Sequence, residues 1–302
     1  MRYVTGERGI VELFRALDSE PRLSIIRHLR KYPSLSMNEL SEKLGVTHGA
    51  VTAHIKTLAS SGLIFVREEN GGRGTRKQIS LNRERIQVDL VRNARDRIIR
   101  EVPIPIGSFT EAGVKPPCGL ASAESMIGTV DVPSSFSLDE RTAAEILWIA
   151  SGFVEYSVPL PAGLSGRLES IEITMEISSE APGTCEEWPS DISFILNGKN
   201  AGTWTSPGDY GAMQGQLNPP WWDVNWNQYG LLKHLSVTRE GAYMDDLRLS
   251  DCGVDEIFDG SPRLLTIRFA APETCGNPGG LTLFGEKFGN YRQPLSIRFY
   301  GG

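Results

Sequence analysis

The chain has 302 residues, of which 40% are hydrophobic, and this is enough material for two domains with separate cores. Its apolar residues never form a run of about 18, so the sequence excludes an ordinary membrane-spanning helix. Residues 1–101 carry 19 basic and 12 acidic side chains, whereas residues 102–302 carry 12 and 25. A basic first part favours a polyanionic partner, and the acidic remainder predicts a second domain with another role.

The N-terminal residues lack the apolar core of a signal peptide, so we expect a cytoplasmic protein with no membrane association. The four cysteines are Cys118, Cys185, Cys252 and Cys275. Their wide spacing, without a CxxC pair, predicts free thiols that are mostly buried. Together with His234 they offer no local chelate, and we predict neither a metal site nor any other cofactor.

Two amphipathic helices are predicted first, over residues 10–17 and 22–31. Each places apolar side chains three or four positions apart, which gathers them on one face of a helix. Pro21 suits the start of the second helix, because its ring fixes φ near the helical value. These segments would supply part of the core of a small helical domain.

A helix-turn-helix is predicted next. Ser36 and Glu39 form a capping-box pattern, in which each side chain satisfies a free backbone N–H at the start of a helix. Gly45 then allows a turn, and Thr47 can cap a second helix. The buried stripe of that helix would consist of Val51, Ile55 and Leu58.

Two strands are predicted after the second helix, over residues 63–67 and 76–81. They flank a glycine-rich hairpin tip at residues 70–74, which carries a cation. A helix pair followed by a basic hairpin is typical of a winged helix, which places one helix in the major groove and its wing on the phosphates. Residues 1–81 are therefore predicted to bind double-stranded DNA.

Outward-facing positions on the second helix are the candidates for contact with base edges, with its lysine better suited to phosphate. These residues are Thr47, His48, Gly49, Thr52, Ala53 and Lys56. The wing would contact phosphate through Arg73, Arg76 and Lys77. Phosphate contacts position a protein on the duplex without discriminating between sequences.

Residues 13–81 resemble the ArsR-type winged helix family of bacterial repressors. The matching runs are LFRALD at 13–18, PRL at 21–23, GVTHGAVTAHIKTL at 45–58 and GLI at 62–64. The resemblance implies a dimeric repressor that an effector releases from DNA. Metal-sensing members of the family carry a cysteine motif in the helix before the turn, and residues 37–43 here contain neither Cys nor His.

A linking helix is predicted over residues 82–101, with Asn82 as its cap. Its apolar stripe would be Ile86, Leu90, Ala94 and Ile98. Such a helix could form the contact of a homodimer, because recognition of two half-sites normally requires two-fold symmetry. It could equally pack on its own domain.

Residues 102–302 are predicted to form an all-β sandwich or jelly roll, which makes the whole chain an α+β multidomain protein. Short strands are expected at 153–158, 168–178, 191–196, 201–204, 231–237, 243–249, 264–269 and 295–300, with one helix at 139–148. Residues 171–177 alternate, with isoleucine and methionine on one face and polar residues on the other. The short strands separated by turns and the last predicted strand, at 295–299, are similar to those of a galactose-binding-type jelly roll.

A ligand site is predicted from the aromatic residues of this second domain. All six tryptophans occur at or after position 148, and three crowd into residues 221–226, beside amide and carboxylate groups. Flat rings with polar neighbours suit a small effector such as a carbohydrate. The candidate residues are Trp204, Asp209, Trp222, Trp226, Gln228, Glu155 and Tyr156.

Other interpretations of the sandwich remain open. Its tryptophans could fill the core, and the domain could serve for oligomerisation or protein interaction without a small ligand. Glu155, Asp209 and Asp223 could supply a glycosidase-like carboxylate pair, but the sequence fixes no separation between them. We therefore predict a regulator and not an enzyme.

Overall fold

The computed structural model describes residues 2–4, 7–32, 34–71, 74–82, 86–88, 97–160, 164, 168–260 and 262–301. The chain divides into two compact units, residues 1–94 and 95–302.

The described residues of the N-terminal unit form four helices and two small sheets. Its elements are β1 (Arg2–Val4), α1 (Glu7–Leu17), α2 (Glu20–Lys31), β2 (Leu35–Ser36), α3 (Met37–Leu44), α4 (His48–Ser60), β3 (Ile64–Gly71), β4 (Gly74–Leu81) and β5 (Ile86–Val88). Strands β2, β4 and β3 form an antiparallel sheet in that order, and β1 pairs in parallel with β5. The two helices, the helix-turn-helix and the wing hairpin predicted from the sequence are confirmed.

One hydrophobic core holds this unit together. Leu29 of α2, Leu40 of α3 and Leu58 of α4 are completely buried in it, and Ile79 of the wing strand β4 joins them. Each helix turns its apolar stripe inward because burial of a leucine or isoleucine side chain contributes about 1.5–3 kcal/mol. The polar faces of the helices are thereby left at the surface.

The predicted helix over residues 82–101 is wrong wherever the structure describes it. Residues 86–88 are strand β5, and residues 97–101 begin strand β6 (Arg97–Ile104). Asn82 caps no helix; its side-chain amide donates to the carbonyl oxygen of Gly62 over 3.0 Å. Ile98, expected in a buried stripe, is 50% exposed. Sheet pairing at 97–104 outweighs the helical periodicity of the sequence; Leu90 and Ala94 lie outside the described residues.

The C-terminal unit is the predicted all-β sandwich. Its further strands are β7 (Glu111–Ala121), β8 (Met126–Ile127), β9 (Ile146–Pro159), β10 (Leu168–Ser178), β11 (Ser190–Leu196), β12 (Lys199–Ser206), β13 (Leu231–Val237), β14 (Ala242–Met244), β15 (Leu247–Ser250), β16 (Leu264–Ala271), β17 (Leu281–Phe284) and β18 (Leu295–Gly301), with the short helix α5 (Val254–Ile257) before β16. The main path runs β12-β11-β16-β9-β17-β10-β13-β14-β15, while β18 joins β10 to β6 and β7 joins β9 to β8. The described pairs are antiparallel.

Strand β10 is buried on both faces, although its alternating sequence predicts polar residues on one of them. Ile173 is fully buried on the apolar face, and Glu172, Thr174 and Glu176 on the other face are at most 8% exposed. Buried polar groups of this kind need partners. Glu172 pairs with Arg298 at 3.3 Å, and the hydroxyl of Thr174 lies 3.1 Å from Nδ1 of His234.

The predicted helix over residues 139–148 is also wrong. A short 3-10 turn occupies Asp139–Ala143, and the long strand β9 already begins at Ile146. Trp148, expected at the end of the helix, pairs with Thr282 of β17. The apolar run from 146 onward continues into the predicted strand at 153–158, and pairing with β17 and β7 makes it one strand. Seven of the eight predicted strands are confirmed, whereas the one predicted at 243–249 is a hairpin of two strands, β14 and β15, with a turn at Asp245 and Asp246. Strands β6, β7, β8 and β17 were missed.

Candidate functional site

The helix-turn-helix is stabilised by caps at the start of α3, at the end of α3 and at the start of α4. The hydroxyl of Ser36 accepts from the backbone N–H of Glu39, and the Glu39 carboxylate accepts from Ser36, so the predicted capping box is present. Hydrogen bonds from the Ser36 hydroxyl and backbone N–H lower the pKa of Glu39. Gly45 takes the left-handed conformation at φ 65°, and the Thr47 hydroxyl accepts from the N–H of Ala50 over 3.3 Å.

The outer face of α4 is accessible along the whole predicted contact surface. Val51, Ile55 and Leu58 are buried, as predicted. The opposite positions Thr47, His48, Gly49, Thr52, Ala53 and Lys56 are all exposed. The Thr52 hydroxyl donates to the carbonyl oxygen of His48 over 2.8 Å, so its remaining lone pairs and its methyl group face outward. These groups match what base edges in the major groove present.

A groove of about 600 Å³ connects the start of α4 with the wing. His48 of α4 and Lys77 of β4 both line it, and α3 contributes Asn38. Asn38 and Gln78 also line the groove and were missed from the sequence, although an exposed Asn at the start of a helix is a recognisable polar candidate.

The wing strands β3 and β4 pair from Ile64 with Leu81 to Gly71 with Gly74. Lys77 is exposed and lies opposite Glu68 in this register. Arg76 lies opposite Glu69, and only its backbone is described. Arg73 lies outside the described residues. The hairpin thus has the predicted form of a wing, and among the three predicted wing cations Lys77 is the one whose side chain is described.

In the β-sandwich, three tryptophans line a cavity of about 280 Å³. Trp222 packs edge-on against Trp148, with ring centroids 5.9 Å apart, and edge-on against Trp226 at 4.8 Å. Trp222 is only 5% exposed, whereas Trp226 is 40% exposed at the mouth of the loop. The aromatic wall therefore has a buried base and an accessible rim.

The polar side of the cavity is built from Glu180, Asn227 and Thr282. The Thr282 hydroxyl donates to Oε2 of Glu180 over 2.9 Å. The side-chain nitrogen of Asn227 donates to the hydroxyl of Ser178 over 2.9 Å and to Thr282 over 3.2 Å. Its Oδ1 is buried and has no hydrogen-bond partner among the residues that the structure describes. A buried unpaired acceptor costs about 1–3 kcal/mol and favours a donor from a ligand or a water molecule.

Carboxyl groups in and behind the cavity have shifted pKa values. Burial raises the pKa of Glu180 well above its usual range, and the nearby carboxylates of Asp209 and Asp131 add to the rise. Burial also raises the pKa of Asp209 to about 7, against the opposing effect of the Ala181 N–H, which donates to its Oδ2 over 2.9 Å. These two carboxyls therefore favour their neutral forms.

The other predicted ligand residues make intramolecular contacts outside the cavity lining. The Trp204 ring lies under the ammonium of Lys233, 4.9 Å from its centroid. Glu155 forms a 2.8 Å ion pair with Arg268. Tyr156 is 1% exposed and donates to the carbonyl oxygen of Ile106 over 2.7 Å, and burial raises the pKa of its hydroxyl.

Gln228 is 1% exposed and stabilises the tryptophan loop by hydrogen bonds. Its side-chain nitrogen donates to the carbonyl oxygens of Asp223 and Trp226, each over 2.8 Å. Of the seven predicted ligand residues, Trp222 and Trp226 line the cavity together.

Residues that the sequence did not single out complete the cavity: Trp148, Glu180, Asn227, Thr282 and Asp131. Asn227 directly follows the predicted Trp226, and this adjacency could have identified it from the sequence. The others come from β9, β17 and two separate loops, and only the fold brings them together.

The described part of the chain contains no group of three His, Cys, Asp or Glu residues that could hold a metal ion, and the four cysteines are free thiols. Cys118 and Cys252 are buried, as predicted, and burial raises the pKa of both thiols. None of the described helices is long and apolar enough to cross a membrane.

Residues 18–64 match the family model of winged helix-turn-helix DNA-binding domains. The match extends from the end of α1 to the first residue of β3, so it contains the capping box, the turn and the exposed face of α4. The winged helix predicted from the sequence is thereby confirmed. No curated protein sequence matches the chain.

Solved structures are similar to separate parts of the chain. Reduced HlyU from Vibrio cholerae is 30% identical, with 24% of this chain and 73% of that chain covered and a TM-score of 0.22. An ArsR family transcriptional regulator is 19% identical, with 28% and 78% covered and a TM-score of 0.23. The CBM36-1 domain of a multidomain xylanase from the hindgut metagenome of Trinervitermes trinervoides is 9% identical, with 67% and 98% covered and a TM-score of 0.30.

Proposed function

With a winged helix-turn-helix at its N-terminus, this chain is a DNA-binding transcriptional regulator, and we propose that it is a cytoplasmic repressor controlled by a small ligand. It binds double-stranded DNA as a homodimer through α4 and the wing. The ligand occupies the tryptophan-lined cavity of the β-sandwich and lowers the affinity for DNA.

The exposed outer face of α4 is the observation that carries the DNA-binding part of this proposal. Thr52 and Ala53 present a hydroxyl oxygen and methyl groups, and Lys56 adds a positive charge one turn further along. Their neighbours Val51 and Ile55 are buried and fix the orientation of the helix. A helix anchored on one face, with such groups on the other, fits the major groove.

Selection of sequences from a random duplex library by the full-length chain tests base recognition. We expect a preferred duplex, and Thr52→Ala should weaken binding to it by about tenfold, within the 1–3 kcal/mol expected of a base contact. Binding to random-sequence duplex should change little, since Thr52 is not expected to contact phosphate. Lys31→Ala, an exposed lysine at the end of α2, is the matched control. Absence of any preferred sequence would contradict base reading by α4.

The cavity supports the ligand-binding part of the proposal. Small-molecule sites combine apolar and aromatic walls with a few placed polar groups. Here Trp148, Trp222 and Trp226 supply the wall, and Glu180 and Asn227 supply the polar groups. A ligand can regulate DNA binding only if it binds one state of the protein better than the other.

A thermal-shift screen of the full-length chain against neutral, cationic and anionic sugars tests this part. A ligand present at about 100 times its Kd should stabilise the folded chain by about 2.7 kcal/mol. The same ligand should weaken binding to the selected duplex in fluorescence anisotropy. A ligand that binds without changing the affinity for DNA would refute the repressor mechanism. Sedimentation of the full-length chain, with and without DNA, measures whether it is a dimer.

A further inference from the structure

The charge of the cavity is one-sided. Its ionisable lining residues are Asp131 and Glu180, both acidic, and no Lys, Arg or His among the described residues lines it. Asp209 adds a third carboxyl close enough to raise the pKa of Glu180. An anionic ligand would therefore meet Asp131 and would make ionisation of Glu180 still more costly, whereas a cation would favour the ionised carboxylates.

Glu180 lacks an ion-pair partner within the described part of the chain. Its carboxyl accepts one hydrogen bond, from the hydroxyl of Thr282 at 2.9 Å. By contrast, Glu172 of the preceding strand β10 is paired with Arg298 at 3.3 Å. A carboxylate in a partly apolar pocket without a cation is costly to ionise, and a positive ligand would remove that cost.

The neutral polar atoms of the cavity wall also favour a ligand rich in donors. Asn227 is 6% exposed, and its side-chain nitrogen is occupied by Ser178 and Thr282. Its Oδ1 is therefore turned away from these two hydroxyls, and it has no partner. Glu180 and Asp131 offer further acceptor oxygens. A protonated amine has only donors, so its hydrogen-bonding capacity matches this set.

Aromatic rings strengthen the same preference. Trp226 is 40% exposed at the rim, and Trp222 and Trp148 continue the wall inward. The face of an indole ring attracts a cation more strongly than the face of any other aromatic side chain. A cation in this cavity would be attracted both by the indole rings and by the carboxyl groups of Glu180 and Asp131.

We propose that the tryptophan-lined cavity binds its ligand through a positively charged amine, held between the indole rings and the carboxyl of Glu180. The inference rests on the proposed function, since it assigns a chemical class to the ligand of the same cavity. The amine could belong to an amino sugar or to a small quaternary ammonium compound, and these two sources are separated by the test.

Glucosamine, glucose and glucuronate share one ring and differ mainly in charge, so they form a matched set of probes. Tetramethylammonium, which has no N–H donor, represents the positive charge without the sugar and without the hydrogen bonds. Titration of each into the full-length chain by calorimetry, at neutral pH, should give binding of glucosamine at least about tenfold tighter than that of glucose. Glucuronate should bind more weakly than glucose. Tight binding of tetramethylammonium would identify the charge and the indole rings as sufficient, and binding of glucosamine alone would identify an amino sugar.

Glu180→Gln keeps the shape of the side chain and removes its charge. It should weaken glucosamine binding about tenfold and leave glucose binding unchanged. Glu187→Gln is the control, because Glu187 is an exposed carboxylate on the same loop that does not line the cavity. If Glu180→Gln fails to fold, Trp226→Leu at the exposed rim provides a second variant, and it should weaken the binding of both amines.

Two results would overturn the inference. Equal affinity for glucose and glucosamine would refute the preference for charge and leave the cavity as the ligand site of the proposed function. Absence of binding by both amines would refute the cationic class; neutral sugars that still stabilise the chain would then keep the proposed function.

Discussion

The indole N–H of Trp222 donates to the backbone carbonyl oxygen of Asn227, five residues later, over 2.9 Å. This hydrogen bond closes the loop that carries both residues and Trp226. The side chain of Asn227 is fixed in turn by Ser178 at the end of β10. Trp222, Trp226 and Asn227 are thus held in one hydrogen-bonded loop, so this part of the cavity loses little conformational freedom when a ligand binds.

The same contacts predict that the tryptophans of this loop differ in their effect on stability. Trp222→Ala removes a ring that is 5% exposed and packed against Trp148 and Phe288, and it should lower the free energy of unfolding by about 3–5 kcal/mol. Trp226→Ala, at a position that is 40% exposed, should cost less than half as much. Urea denaturation of both variants measures the difference. Equal losses would contradict the assignment of Trp226 to the rim.

Glu176 should be among the most sensitive positions of the sandwich. It is 1% exposed, and its carboxylate accepts from the backbone N–H groups of Gly230, Asn290 and Tyr291 at 2.9–3.0 Å. Glu176→Gln replaces one acceptor oxygen by a donor that faces these N–H groups, so we expect a loss of about 3 kcal/mol in the free energy of unfolding. Glu169→Gln, an exposed position on the same strand, should change it by less than about 0.5 kcal/mol.

The helix-turn-helix could be predicted because its determinants are local. Ser36 and Glu39 bond to each other across three positions, and Val51, Ile55 and Leu58 repeat with the period of the helix that they bury. Residues 97–104 have no such local determinant. Their strand exists because β18 lies beside it, where Arg298 pairs with Glu101 at 2.8 Å, almost 200 positions away.

The ligand cavity was predictable only in part, because most of its residues are far apart in the sequence. Trp222 and Trp226 stand together in the sequence, and their clustering was a visible signal. Glu180 and Thr282 are 102 positions apart and meet only through the pairing of β10 with β17. Glu155 appeared functional as a carboxylate between apolar strand residues, but Arg268 on the neighbouring strand neutralises it.

Asp209 should make stability depend on pH. Its pKa is raised from 3.8 to about 7 by burial, so its neutral form favours the folded chain. This contribution is fully present below pH 3.8 and is lost as the pH rises to about 7, since the unfolded state ionises first. At 1.36 kcal/mol for each pKa unit, the free energy of unfolding falls by at most about 4 kcal/mol over this range.

Asp209→Asn removes this ionisation and retains an oxygen for the Ala181 N–H. Relative to the parent chain, the variant should therefore gain stability between about pH 4 and about pH 8. Urea unfolding at both values measures the difference, in which titrating groups that do not interact with Asp209 cancel. Glu180 does not cancel, because Asp209 raises its pKa, and it adds to the same pH dependence. A difference that does not change with pH would contradict the raised pKa of Asp209.

Lys77 on the wing should contribute to DNA binding through charge alone. It is exposed on β4 and lines the groove that leads to His48 at the start of α4. A lysine on phosphate releases about one counterion when it binds, so Lys77→Ala should reduce the slope of log K against log salt by about one. The loss of affinity should be similar for selected and random duplexes, unlike that of Thr52→Ala. Fluorescence anisotropy over a salt series measures both quantities, with Lys31→Ala as the control. A slope equal to that of the parent chain would show that Lys77 makes no contact with phosphate.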